Sequence, residues 1–314
     1  MISYYSIKEG KLIDLKGLER NCWVNITPPF DTKNLEILSE ELGIPVDYLT
    51  DSLDIDEKSR FEDEESVKLI VCNTPVGNEQ SDSQAKIPFI TIPIGIIITN
   101  DIIITISSQK NQVLNYFLTT KDKNVNTENK NRFILQLFDK NVHFFMFYLR
   151  KINKLEEEYE QELYNSMKNK ALRQLLNFEK SLVYFVTSLR SNELMMIKMQ
   201  RTKFLDLTEE ENDLLDDAIV DVSQALEMSN IYTNILGNSM DAFASIISNN
   251  LNMVMKRLTS VTIVLMVPTL IASFYGMNVK LPFQNSPIAF LLTVSFSIAL
   301  SFIMFWFFMK KKWF

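Results

Sequence analysis

Cysteine and histidine are nearly missing from this chain of 314 residues: Cys22, Cys72 and His143 are all it has. Two cysteines cannot build a disulfide framework or a Cys-type zinc site, and they suit a reducing compartment. A single histidine leaves almost nothing for imidazole chemistry. Positive charge is also in deficit, with 32 Lys+Arg against 39 Asp+Glu and a net charge of −7, which argues against a nucleic-acid partner. The chain carries no phosphate loop, no nucleophile elbow and no histidine cluster with metal-ligand spacing, so no enzyme is expected. Disorder is excluded by what is abundant, since 46% of residues are apolar and 11% aromatic.

Charge is missing altogether from two stretches near the C-terminus. Between Arg257 and Lys280 lie 22 uncharged residues, and between Lys280 and Lys310 lie 29 more. About 20 apolar residues in a helix cross the hydrocarbon core of a bilayer. Leu258–Tyr275 and Pro287–Met309 both meet that length, which predicts a membrane protein with two spans. The alternative, a buried helical hairpin in a soluble core, fits poorly with a second run ending Phe305-Trp306-Phe307-Phe308-Met309. Lys256 and Arg257 precede the first span and Lys310, Lys311 and Lys312 follow the second, whereas only Lys280 lies between them. That inner basic collar predicts a cytoplasmic location for both termini. The start, Met1–Gly10, lacks a secretory signal pattern, in agreement with that orientation.

Up to about residue 130 the pattern is that of a small α/β domain. Asn21–Thr27 and Val67–Asn73 read as strands. Ile87–Ser107 is β-branched and apolar enough to be mistaken for a third span. Pro88, Pro93, Gly95 and the Asn100-Asp101 turn break it into two strands of a buried sheet. Thr32–Leu42, Pro45–Asp51 and Asn111–Leu118 read as helices, and Gly77–Gln84 and Lys121–Asn131 as loops.

From Asn131 the pattern is helical. Phe133–Lys168 carries the acidic run Glu156–Glu158, read as a solvated face, and Ala171–Phe204 forms a second amphipathic piece. Thr208-Glu209-Glu210-Glu211 offers a capping box. With no proline before Pro268, one helix is predicted from about Glu209 through the first span to Tyr275, roughly 100 Å long. Ile219, Val222, Leu226, Ser229, Thr233, Leu236, Met240, Phe243 and Ile247 step by alternate threes and fours along it. Such a seam wants partners, either in an oligomer or on the chain's own helices. Nine acidic residues on this helix lie at or before Asp241, and its only basic ones are Lys256 and Arg257 beside the membrane.

The first span ends in Tyr275-Gly276-Met277-Asn278, followed by a short loop and the second span. With this motif in that position, two C-terminal spans, a long helix without proline before Pro268, and an N-terminal α/β domain, the chain resembles the CorA-type divalent-cation transporters along its whole length. Asn252-Met253-Val254-Met255-Lys256-Arg257-Leu258, running on to Met266, Pro268 and Thr269, carries the resemblance further. It implies an α+β membrane protein assembled as a funnel-shaped homopentamer. Residues 1–130 would form the cytoplasmic α/β domain and 131–257 a helical stalk. Residues 258–278 would be the pore-lining first span, 279–286 the outer loop, 287–309 the second span and 310–314 a basic cytoplasmic tail. The implied activity is passage of Mg2+, and of Co2+ or Ni2+ in some relatives, with bound Mg2+ as cargo and regulator and no other cofactor. The bilayer, divalent cations and further copies of the chain would be its partners.

The residues suit that cargo. Mg2+ prefers six oxygens and sheds water reluctantly. Asn278 offers an amide oxygen, Gly276 lets the chain turn, and the helix C-terminus adds the negative end of its dipole. Thr269 offers a hydroxyl and Asn252 a second amide, while Met266, Leu258 and Met255 would narrow a pore and gate it by dewetting. Pro268 would loosen one helical turn and expose a carbonyl. The resemblance also assigns a regulatory role to Asp217, obtained by counting back from Asn252, with Asp51 or Asp54 as its partner from the N-terminal domain. One departure stands out: Lys280, two residues past Asn278, would repel approaching cations, so that capture rests on Asn278 and carbonyls. Two other readings remain, a proton-coupled Zn2+, Co2+ or Ni2+ transporter on the same scaffold and a non-conducting membrane sensor or scaffold. Neither span contains Asp, Glu or His, which disfavours a proton relay inside the membrane.

Overall fold

The computed structural model describes residues 1–8, 11–30, 32–64, 67–78, 87–119, 125–166, 169–279, 287–311 and 313. Its elements in order are β1 (Ile2–Lys8), β2 (Lys11–Leu15), β3 (Trp23–Ile26), α1 (Thr32–Leu42), α2 (Val46–Thr50) and a 3-10 turn over Asp51–Leu53. Then come β4 (Arg60–Glu64), β5 (Val67–Gly77), β6 (Phe89–Ile98), β7 (Ile103–Ser107) and α3 (Gln112–Thr119). Four helices complete the chain: α4 (Lys130–Ser166), α5 (Asn169–Thr202), α6 (Glu209–Tyr275) and α7 (Ala289–Lys310). The chain divides into two compact units, Met1–Asn238 and Ser239–Phe314.

The first unit is built on a seven-stranded sheet of order β2-β1-β3-β7-β6-β5-β4. Only β3 and β7 run parallel, and every other neighbouring pair is antiparallel. The β-branched run after residue 87 forms β6 and β7 and is almost wholly buried, as its broken pattern predicts. One face of the sheet packs on α1 and α2 through Val67, Leu69, Val71, Leu35, Leu38 and Tyr48. The other face is covered by α4 and α5. Gly95 permits the close seating of the 3-10 turn, because a Cβ there would run into Ser52 and Ile106. The predicted helix Thr32–Leu42 is found with the same bounds, whereas β1, β2 and β4 carry no expectation from the sequence.

β5 outruns β4, which pairs with it only over Val67–Val71. The backbone of Asn73 therefore meets no strand on that side, and side chains from the covering helices replace it. Asn192 of α5 accepts the Asn73 N–H on Oδ1 at 3.0 Å and donates Nδ2 to the Asn73 carbonyl at 2.8 Å. Asn141 of α4 donates to the same carbonyl at 2.9 Å and to Cys72 Sγ at 3.1 Å. Ser59 Oγ donates to Asn192 Oδ1 at 2.6 Å. Burial pushes the Cys72 thiol up to about 12, against the smaller opposite effect of the Asn141 hydrogen bond, so it stays protonated. Pro75, two residues along, lies where its missing N–H costs no ladder bond.

The capping box forms as expected: the Glu211 N–H donates to Thr208 Oγ1 at 3.3 Å, and the Thr208 N–H donates to Glu211 Oε2 at 3.0 Å. α6 then runs 67 residues without a break. In its first part Val222, Ser229 and Leu236, each seven residues apart, are buried within the single chain. Packing inside the chain thus already covers that stretch of the seam. The acidic run on α4 differs from expectation. Glu157 and Glu158 are exposed, but Glu156 is 4% exposed, with Oε2 unpartnered. Burial, and then repulsion from Glu160 and Glu157, raises its carboxyl to about 7. Successive helical residues point about 100° apart, so Glu156 lies about 150° from the direction midway between the exposed Glu157 and Glu158.

Replacing Asn192 with Ala leaves the Asn73 backbone with weaker partners at a buried edge. The variant is expected to lose about 1–3 kcal/mol of stability, read as a lowered thermal midpoint of the purified protein.

Candidate ion pathway and regulatory carboxylates

In the second unit, α6 and α7 are long and apolar enough to cross a membrane. They run antiparallel and meet at Ser301 and Val264. On α7 the less exposed positions are Ala289, Thr293, Ser297 and Ser301, followed by Met304 and Phe308. On α6 the covered positions are Ser260, Ile263, Val264, Val267, Pro268 and Ile271.

Pro268 has no N–H, so the carbonyl of Val264, four residues earlier, lacks its helical donor. Ser301 of α7 donates its hydroxyl to that carbonyl at 3.4 Å. The sequence predicts the freed carbonyl but not the residue that fills it. The hydroxyls of Thr293, Ser295, Ser297 and Ser301 in an apolar span are the only hint, and nothing local singles out Ser301.

The residues expected to line a pore lie away from this contact. At 100° per residue, Asn252, Met255, Leu258, Met266 and Thr269 fall within an arc of about 120°, centred roughly 160° from the α7-covered side. All five are exposed in the single chain, Met266 at 62% and Leu258 at 60%. The Thr269 hydroxyl donates to the Leu265 carbonyl at 3.1 Å within its own helix. The helix ends at Tyr275, where Gly276 N–H still reaches Ala272 O at 2.9 Å and Met277 N–H reaches Phe274 O at 3.3 Å. Gly43 is the sole glycine with positive φ among the described residues, so the turn at Gly276 needs no left-handed conformation. The glycine serves instead as a close approach, because a Cβ would stand 3.3 Å from the Ala272 carbonyl. Tyr275, Met277 and Asn278 are exposed beside it. Lys280 and the loop to Ser286 lie outside the described residues, as does Lys312.

The carboxylates proposed for regulation sit in the first unit. Asp217 is exposed and lines an open groove of about 370 Å3 with Asp221 of α6 and Arg132, Asp139 and Lys140 of α4. Asp51 is elsewhere, at the end of α2. Its Oδ2 pairs with Arg60 Nη2 at 2.8 Å, and Arg60 also pairs with Glu57 at 2.8 Å and with Glu62. Asp54 Oδ1 accepts the N–H of Asp56 at 3.0 Å. Among the described residues no three His, Cys, Asp or Glu side chains converge to hold a metal ion. Within one chain, then, Asp217 and Asp51 face different partners. Arg60, the internal counter-cation of Asp51, was missed by sequence reasoning, although it is one of only two basic residues in the acidic segment from Asp51 to Glu65.

The family model described as CorA-like Mg2+ transporter protein matches residues 19–312. The chain belongs to this family. The CorA match extends to whole chains: the cobalt/magnesium transport protein CorA of Methanocaldococcus jannaschii is 29% identical over 314 residues, covering 98% of this chain and 96% of the relative. The complete structure of the CorA magnesium transporter from that organism aligns with a TM-score of 0.83 at 27% identity, covering 100% of this chain and 99% of the other. The soluble domain of the same CorA aligns with a TM-score of 0.67 at 24% identity, over 77% of this chain and 95% of that domain, a likeness of fold.

The Ser301 contact can be tested by a double-mutant cycle. Ser301→Ala is expected to cost about 0.5–1.5 kcal/mol in detergent. The same change in a Pro268→Ala background, where residue 268 regains its N–H, should cost nothing measurable in the same thermal unfolding assay.

Proposed function

We propose that this protein carries divalent metal cations, Mg2+ foremost, across the cell membrane through a pore on the axis of a homopentamer, with both termini cytoplasmic. The observation that carries this reading is the division of α6 into two sides. From Ser260 onward one side is taken by α7 and the other bears Met266 and Thr269, while Asn252, Met255 and Leu258 continue the same arc through a stretch exposed all round in the single chain. Five copies of that side around one axis, in a funnel-shaped assembly, would give a narrow apolar passage interrupted by neutral oxygens. At the far end Asn278 amides and the free carbonyls of the α6 terminus would face a hydrated cation at the negative end of the helix dipole. Such a mouth selects a hard cation without stripping its water, which is how Mg2+ is handled most cheaply. An inside-negative potential of 100 mV supplies about 4.6 kcal/mol for a divalent ion, enough to drive uptake without a coupled reaction.

Closure is proposed to depend on cytoplasmic Mg2+ bridging Asp217 of one subunit and the Asp51–Asp54 segment of its neighbour. Carboxylates brought together across an interface repel, and a divalent ion between them reverses the sign. The groove holding Asp217 is open, so the carboxylate is accessible to solvent and to a neighbouring subunit.

Flux into liposomes of Mg2+, Co2+ and Zn2+, with and without a pH gradient, separates this reading from proton-coupled transport and from a non-conducting sensor. Asn278→Ala is expected to abolish Mg2+ flux while the oligomer stays intact by size-exclusion chromatography; wild-type flux from that variant would remove Asn278 from the pathway. Asp217→Ala is expected to raise the internal Mg2+ needed for closure several-fold, and an unchanged Mg2+ response would remove Asp217 from regulation.

A further inference from the structure

The second unit is strongly and one-sidedly charged at one end. From Ala242 to the C-terminus the sequence contains no Asp or Glu, and Asp241 is the sole acidic residue of the unit. Asp241 stands 15 residues before Lys256, about 22 Å along the helix. The Ser301–Val264 contact fixes the register of the two antiparallel helices. Seven residues toward the basic end from that contact, Arg257 comes level with Phe308, which brings Lys256 and Arg257 of α6 to the same height as Lys310 and Lys311 of α7. All four side chains are exposed. Aromatic rings stand beside them: Lys310 Nζ lies 5.4 Å over the Trp306 ring, and Trp313 stacks on buried Phe308 at 5.4 Å.

These four cations have no Asp or Glu of their own unit nearer in sequence than Asp241, which leaves them open to an external anion. Tryptophan and lysine together mark the depth of the headgroups, where the anion available in quantity is lipid phosphate. Free Mg2+ is repelled by the same cluster, and a soluble anion lacks the acyl chains that the neighbouring apolar helix surfaces would cover. We propose that Lys256, Arg257, Lys310 and Lys311 form a binding site for the headgroup of an anionic phospholipid. Arg257 supplies the planar fork suited to two phosphate oxygens, and the lysines act as point charges around it. The site depends on α6 and α7 crossing the membrane and not on which ion is transported.

The three tryptophans make the test direct. Trp306 and Trp313 lie at the proposed site, whereas Trp23 is buried in the sheet of the first unit and gives a constant background. The full-length protein is placed in nanodiscs of phosphatidylcholine doped with brominated phosphatidylglycerol or, separately, with brominated phosphatidylcholine, and tryptophan quenching is titrated. The association constant for phosphatidylglycerol is expected to exceed that for phosphatidylcholine by at least about fivefold, the factor for one basic residue near an anionic surface. In the variant carrying Lys256→Gln, Arg257→Gln, Lys310→Gln and Lys311→Gln the ratio should fall to about one. Equal quenching by the two lipids in the wild type, or an unchanged preference in the variant, overturns the site. If the fourfold variant fails to insert, Lys310→Gln/Lys311→Gln decides the question by the same criterion of a reduced preference. Mg2+ flux is not part of the readout, so failure here leaves the transport reading untouched.

Discussion

A backbone carbonyl in hydrocarbon must find a donor, and the two-helix unit is arranged around the one carbonyl whose donor proline removes. Water cannot serve there, and an unmatched group costs several kcal/mol. Ser301 meets the need of Val264, and in doing so it fixes which side of α6 belongs to α7 and at what register. It sets the level at which Arg257 meets Phe308, and it leaves open the opposite arc with the Asn252 amide, the Thr269 hydroxyl and two methionines.

The first unit obeys the same rule in a different solvent. Where β5 runs past β4, a buried amide and carbonyl would be stranded, and Asn192 presents both an acceptor and a donor to them as a neighbouring strand would. Asn141 and Ser59 complete the arrangement. The result ties α4 and α5, the two helices that cover this face, to a fixed point on the sheet by hydrogen bonds rather than by shape alone. Apolar packing tolerates small slips, whereas a two-point amide contact does not.

Much of this was legible in the residues. Thr32–Leu42, the two strands on either side of Asn100-Asp101 and the Thr208–Glu211 box each carry a local signal, and each is found where the signal lies. β1 and β2 escaped because they are half-exposed and carry no clean alternation. β4 escaped because Arg60-Phe61-Glu62-Asp63-Glu64 has the composition of a charged loop. In the candidate pathway the residue types were legible and their neighbours were not. Nothing local in Asp51 announces Arg60 nine residues away, nothing in Ser301 announces Val264 on another helix, and nothing in Glu156 says that it alone of three acids turns inward. Long-range partners are set by tertiary register, which no local pattern contains.

The hydrogen-bond ladder of α6 has one rung missing in 67 residues, at the step from Pro268 to Val264. A rod of uniform stiffness with a single soft joint bends at the joint. Any bending load on this helix would therefore concentrate its deflection within one turn, next to Met266 and Thr269, and spare the rest of its length. A serine hydroxyl bridging the gap from another helix acts as a splint: with it in place the joint is stiffened, and with it released the short segment from Pro268 to Tyr275 is free to pivot.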